Sequence, residues 1–291
     1  SIVMACVKEN AASNSYGWCN EEWDAQRCKP YSGTANVEEF FRPNQINAPL
    51  LEALKLTLEK NNQQEARLRI TLTGGNLNML QQTGESGGMD PTIVIQTQPT
   101  TEYPDSFFEK GVWVSLASGR VNPYEFGAGH KTLNYWPKLL NLQLAAMQQC
   151  GEALWLTPSA HVTGGSVSNV FIVRDGALFT PIAQGEEEVS DEQSAVLPGI
   201  TRGVVINLAN ELGVGTSKQL LTLDDVLGTD EMFLTNSSWG VLPVVGIRAA
   251  VKGENRANTQ EQTIGRGEVG NMTNQLITLY QTTLSKETSG D

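Results

Sequence analysis

Apolar and polar positions alternate in distinct textures along the chain. Leucines at 50, 51, 54, 56 and 58 in PLLEALKLTLEKNNQQEA give one apolar face and end in Asn-Asn-Gln-Gln, which predicts a helix from Ala48. Two strand-like runs follow, ARLRITLTGG and PTIVIQTQP, separated by a Gly/Ser-rich loop at 84–88. GVWVSLASG reads as a third. Past residue 131 the pattern turns helical in NYWPKLLNLQLAAMQQCG, then into the strands EALWLTP, SNVFIVRDG and ALFTPI, with Asp175-Gly176 as a hairpin signal. QGEEEVSDEQSA is acidic and turn-rich and reads as a solvated loop. LPGITRGVVINLANELG places Thr201 near a helix start and Gly213 at its end. DDVLGTDEMFLTNSSWGVLPVVGI predicts a short helix, a strand and a turn exposing Asn236, Ser237 and Ser238, and GNMTNQLITLYQTTL a final helix. Residues 1–47 are rich in Asn, Ser, Glu and Cys and show no clean period. No internal repeat is present.

Composition narrows the function classes. The net charge of −12 provides no positive field for nucleic acid, and 40% hydrophobic residues suffice for a sizeable core. No apolar run is long enough to span a membrane, and SIVMACVKENAA lacks the pattern of a signal peptide, so a cytoplasmic location is expected. Cys6, Cys19, Cys28 and Cys150 are too few for a disulfide scaffold and wrongly spaced for a zinc knuckle. His130 and His161 are the only histidines, which leaves little for a histidine metal centre or a Ser-His-Asp triad. No metal site is expected.

Lys131 is the most informative residue, because it follows Gly-Ala-Gly-His and opens an apolar helix instead of lying on a charged face. A lysine of this kind, if partly buried, is an amine nucleophile suited to Schiff-base chemistry. Gly199-Ile200-Thr201 at a helix start offers free N–H groups and a hydroxyl to an anion. Asn236-Ser237-Ser238 offers a second set of small polar groups. Together these suggest a phosphate-bearing aldehyde cofactor.

Five blocks in order over residues 130–276 resemble the fold-type IV pyridoxal-phosphate enzymes: HKTLNYWPKLL, EALWLTPSAHVTGGSVSNVFIVRDGALFTP, LPGITRGVVINLANELG, DEMFLTNSSWGVLPV and IGRGEVGNMTNQL. That family includes branched-chain and D-amino-acid aminotransferases and aminodeoxychorismate lyases. The resemblance implies pyridoxal 5′-phosphate as cofactor and an α+β fold of two domains with the cofactor between them. Residues 48–125 would form the smaller α+β domain and 126–291 the larger β-rich one, after a divergent segment 1–47. It also implies a homodimer. By the same matching, Lys131 would form the linkage to the cofactor and move the proton in catalysis, and Tyr135 would lie beside the phenolic oxygen. Leu197 would pack on the ring, Ile200 and Thr201 would bind the phosphate, and Asn236 and Ser237 would supply its second contact.

NSSWGVLPV resembles the lyase branch, which implies a 4-amino-4-deoxychorismate substrate cleaved to 4-aminobenzoate and pyruvate. The alternative is an aminotransferase for branched-chain or D-amino acids. Two departures from the family pattern support a third reading, a non-catalytic relative. Gly164 in VTGGS stands where the family has the glutamate that keeps the pyridine nitrogen protonated. The family's N-terminal phosphate arginine has no clear match, Arg42 in FFRPNQ being the weak candidate. Trp136, Trp155 and Trp239 are candidates for a substrate pocket, although packing is the commoner role of such aromatics.

Overall fold

The computed structural model describes residues 5–7, 48–73, 93–187, 193–250 and 259–288. They belong to two compact units that divide after Glu102. In the first unit, strands β1 (Ala5–Val7), β2 (Arg67–Leu72) and β3 (Ile93–Gln98) form an antiparallel sheet in the order β1-β3-β2. The expected helix is α1 (Ala48–Lys60). Its Ala53 is buried with Ile93 and Ile95 of β3, and Leu50, Leu54 and Ile70 flank that small core.

Among the described residues, the second unit is built on a nine-stranded mixed sheet. After the short helix α2 (Asp105–Glu109) come β4 (Val112–Leu116), helix α3 (Trp136–Met147), β5 (Glu152–Leu156), β6 (Val162–Gly165), β7 (Asn169–Arg174) and β8 (Ala177–Thr180). Helix α4 (Ile200–Glu211), β9 (Thr216–Lys218), α5 (Leu223–Leu227), β10 (Glu231–Asn236), β11 (Gly240–Ala250), β12 (Thr259–Thr263) and α6 (Asn271–Thr288) complete it. The strand order is β6-β5-β4-β11-β10-β7-β8-β9, with β12 paired to β11. The division after Glu102 differs from the boundary expected between 125 and 126, because β4 lies inside the large sheet, parallel to both β5 and β11.

Asp175 (φ 51°) and Gly176 (φ 73°) both take the left-handed conformation, the signature of the two-residue turn that joins β7 and β8. Helix α4 ends as expected at Gly213, with φ 72°. Its start differs from the expected side-chain cap. The N-cap is Gly199 with no capping side chain, and Thr201 is buried inside the helix. Helix α6 is capped from a distant strand: the Glu231 carboxylate accepts from the Met272 and Thr273 amides and from the Thr273 hydroxyl.

The sheet separates two cores. On one face Leu154, Val170, Ile172, Met232, Leu234 and Leu242 pack together. On the other, Phe171, Phe233 and Val241 meet Val205, Leu208 and Ala209 of α4 and Leu276 of α6. This alternation along β7 and β10 positions the site, because the same parity carries Asn169 and Thr235 toward the helix face. Among the described residues no helix is long and apolar enough to cross a membrane.

Candidate active site

Lys131 lies in the loop before α3, exposed, with its Nζ donating to the Tyr135 hydroxyl at 3.0 Å and 5.2 Å from that ring's centre. Their spacing of four residues crosses the helix start, so that the phenol reaches back over the loop. Pro137, within the first turn, favours a helix beginning there. One turn on, Lys138 is half-buried. Burial lowers its pKa, and Lys131 adds to this, against the opposing influence of Tyr135 and Glu152.

The Lys131 loop is tied to the segment leading into α4. His130 Nδ1 lies 3.0 Å from the Ala128 carbonyl and Nε2 lies 3.3 Å from Gln184 Nε2. That pairing is met when Nδ1 carries the proton and Nε2 accepts from the amide. The Gln184 backbone N–H in turn donates to the Val196 carbonyl at 2.9 Å. At the next residue, the half-buried Leu197, the carbonyl accepts from Asn169 Nδ2 at 2.7 Å. Asn169 Oδ1 lies so close to Gly199 that no Cβ would fit there.

At the end of β10, Asn236 Oδ1 accepts from the Ser238 and Trp239 amides at 2.8 and 3.0 Å, and Nδ2 donates to the Val167 carbonyl at 3.3 Å. Ser237 is exposed at the tip of the turn. Thus the structure links the Lys131 loop, the α4 start and the Asn236 turn through Gln184, Asn169 and Val167. Asn169 and Gln184 were not singled out from the sequence. Asn169 opens a strand and Gln184 opens an acidic loop, and neither carries a motif.

The α4 start suits an anion. First-turn amides of a helix have no partner within it, and here no side chain caps them. Ile200 is 86% exposed, whereas Thr201 is buried. On the sheet face against which α4 packs, Thr235 Oγ1 is fully buried and has no hydrogen-bond partner among the described residues. An uncapped helix start, an orphan hydroxyl and an exposed lysine paired with a phenol form a donor set that fits a phosphate-bearing aldehyde.

Gly164 has φ 140°, and a Cβ there would come 2.7 Å from the Ser168 carbonyl. This position in β6 is therefore built for glycine, and a glutamate here would be both strained and crowded. Residues 188–192 of the acidic loop lie outside the described residues, and within its described part Glu186 departs from the expected solvated role. Glu186 joins buried Arg202 at 2.8 Å and Lys218 at 2.7 Å. Burial alone would raise the Glu186 carboxyl, but the hydrogen-bonded guanidinium and ammonium groups overcome it and hold the pKa at about 2. Trp155 is buried and donates to Ser166 Oγ at 2.9 Å, so it packs under the turn, and Trp136 is 71% exposed. Trp239 is half-buried, edge-on to Tyr103. Cys150 is a buried free thiol whose pKa burial raises. Arg42 and the side chains of Cys6, Cys19 and Cys28 lie outside the described residues.

The family model described as amino-transferase class IV matches residues 42–247. The branched-chain-amino-acid aminotransferase of Escherichia coli K12 is 28% identical over 233 residues, 79% of this chain and 72% of that protein. A crystal structure of the E. coli enzyme superposes with a TM-score of 0.63 at 27% identity, covering 82% of this chain and 73% of that one. D-alanine aminotransferase of Bacillus licheniformis is 27% identical over 243 residues, 83% of this chain and 76% of that protein. Another branched-chain amino acid aminotransferase, solved with pyridoxamine 5′-phosphate, shares the fold with a TM-score of 0.65 at 24% identity, over 82% and 72% of the two chains.

Proposed function

The chain belongs to the class IV amino-transferase family, whose members work with pyridoxal 5′-phosphate, and from that premise we propose that it is an active enzyme moving an amino group between an amino acid and a 2-oxo acid. The observation that carries this reading is the hydrogen bond from Lys131 Nζ to the Tyr135 hydroxyl. It gives the amine a defined direction and an acceptor for its proton, which a structural surface lysine does not need. The branched-chain and D-alanine aminotransferase relatives support an amino-acid substrate.

When bound, pyridoxal phosphate supplies an aldehyde that condenses with amines and a ring that withdraws electrons from the substrate carbon. The chain's own residues supply the rest. Lys131 Nζ would hold the aldehyde end and would move a proton to and from the substrate carbon. Tyr135 orients that amine and steadies its charge through the phenol oxygen. The free amides of Ile200 and Thr201 would bind the phosphate, aided by the positive end of α4, with Asn236 and Ser237 as the second side of the cradle. Leu197 would pack against the ring.

An absorbance spectrum of the purified protein with pyridoxal phosphate, before and after borohydride, tests this reading. The expected result is a visible band that borohydride fixes onto the peptide bearing Lys131. Replacing Lys131 with Ala is expected to remove that label and to lower turnover by on the order of 10²–10⁴-fold. A colourless, unlabelled protein would favour the non-catalytic relative.

A second reading, the aminodeoxychorismate lyase, draws support from NSSWGVLPV, in which Asn236 folds the turn on its own side chain. The lyase needs no amino acceptor. Pyruvate and 4-aminobenzoate released without an added 2-oxo acid would establish it, and turnover that requires the oxo acid would exclude it.

A further inference from the structure

Glu152 is fully buried at the start of β5, and its four hydrogen-bond donors among the described residues are all neutral. Oε1 accepts from the Ala153 and Ser166 amides at 2.8 and 3.0 Å, and Oε2 from the Val167 amide and the Ser168 hydroxyl at 3.2 and 3.0 Å. A carboxylate held this way is costly, because neutral donors only partly replace the water it has lost. Three of its four bonds converge on the single turn Ser166-Val167-Ser168. Gly165 makes room for it, since a Cβ there would come 2.7 Å from Glu152 Cγ.

That turn reaches both polar loops of the site. Its middle carbonyl, on Val167, accepts from Asn236 Nδ2, whose Oδ1 shapes the turn through Ser238 and Trp239. The residue that follows it, Asn169, holds Leu197 and abuts Gly199 at the α4 cap. We infer that Glu152 is a positioning residue: its carboxylate fixes the Ser166–Ser168 turn and thereby sets the Asn236 turn and the approach to α4 in the places where a phosphate is gripped. Its value for cofactor binding rests on the function proposed above, whereas the mechanical coupling does not.

Glu231 supplies the control. It too is a carboxylate that organises backbone amides, and its bonds go to the start of α6 instead of to either loop of the site. Amide hydrogen exchange would be followed in the full chain for Glu152→Gln, Glu152→Asp and Glu231→Gln, alongside pyridoxal phosphate titration. Glu152→Gln is expected to speed exchange by about tenfold or more at 166–168 and again at 237–239, and to weaken pyridoxal phosphate binding by about tenfold. Glu231→Gln is expected to speed exchange at 271–273 and leave pyridoxal phosphate affinity within about twofold. If Glu152→Gln fails to fold, Glu152→Asp is read instead, since it keeps the charge but withdraws it by one methylene.

Exchange confined to 166–168, or a Glu152 variant that binds pyridoxal phosphate as tightly as wild type, would overturn the inference. So would an equal loss of affinity in Glu231→Gln, which would show general destabilisation. A wild-type protein that takes up no pyridoxal phosphate would refute the proposed function, and the exchange at 237–239 would still decide whether Glu152 positions that turn.

Discussion

Glu186 and Glu152 are two carboxylates withdrawn from water, and they lie on opposite sides of the ordinary range. Glu186 meets the guanidinium of Arg202 and the ammonium of Lys218, and its pKa falls to about 2. Glu152 is buried among backbone amides and a hydroxyl, and burial raises its pKa beyond what those donors offset. The same desolvation acts on both, and the charge of the partner decides the direction. The consequences differ as well. The Arg202 corner fastens a loop to a helix by charge, whereas the Glu152 turn is held by many short directional bonds that charge does not dominate.

Removing the cation should break the first region most severely. Arg202 also donates to the Pro181 carbonyl and to Thr180 Oγ1. Arg202→Met is therefore expected to cost about 3–5 kcal/mol in denaturant unfolding, because the change strands the buried Pro181 and Thr180 acceptors and leaves Glu186 with Lys218 as its remaining cation. A loss below about 1 kcal/mol would mean that the corner acts as a surface pair.

The Glu152 turn is sharpened by Gly164→Ala, expected to cost about 1–3 kcal/mol for a side chain at φ 140° against the Ser168 carbonyl. Gly164→Glu should be no milder, and kinetic assay should show no gain in turnover. Increased turnover would show that the turn can reopen for the family's carboxylate.

Linkage separates the two regions by sign. Glu186, with its lowered pKa, contributes stability that is fully present above its usual 4.5 and is lost as pH falls toward 2. The gap between wild type and Glu186→Gln should close over that interval. Glu152 has a raised pKa, so its contribution is fullest below the ordinary carboxylate range and declines as pH rises through its folded value. The gap between wild type and Glu152→Gln should be wider in acid than at neutrality. Thermal melts across pH would show both trends, and parallel trends would erase the contrast.

Thr235→Val is the mildest test. With no partner for the hydroxyl among the described residues, apo stability should change by less than about 1 kcal/mol. Pyridoxal phosphate should nevertheless bind several-fold more weakly if that hydroxyl meets the phosphate. Unchanged affinity would remove Thr235 from the cradle.

Much of this was legible in the chain. Asp175-Gly176 announced its hairpin, the leucines after Ala48 their helix, and the ordered blocks around Lys131 and Gly199-Ile200-Thr201 the family and cofactor. Local chemistry writes those signals, through left-handed φ values, helical spacing and residue type. The strand order escaped it, and so did the place of β4, because parallel pairing with β11 joins residues far apart in the chain. The role of Glu186 was missed for the same reason: in sequence it is one acid in a run, and only the fold brings Arg202 to it.

By itself, then, the sequence determined most of the longer elements of the second unit (α3, α4 and α6, with β4, β5, β7, β8 and β10) and the family to which they belong, whereas the short α2, β6 and β9 and the strands β11 and β12 were not read from it. Only the tertiary structure decided how Gly164, Glu152, Asn169 and Asn236 depend on one another. A periodic pattern reports which face of an element is apolar. A buried carboxylate's partners are set by strands brought together across the sheet, and no single segment encodes that meeting.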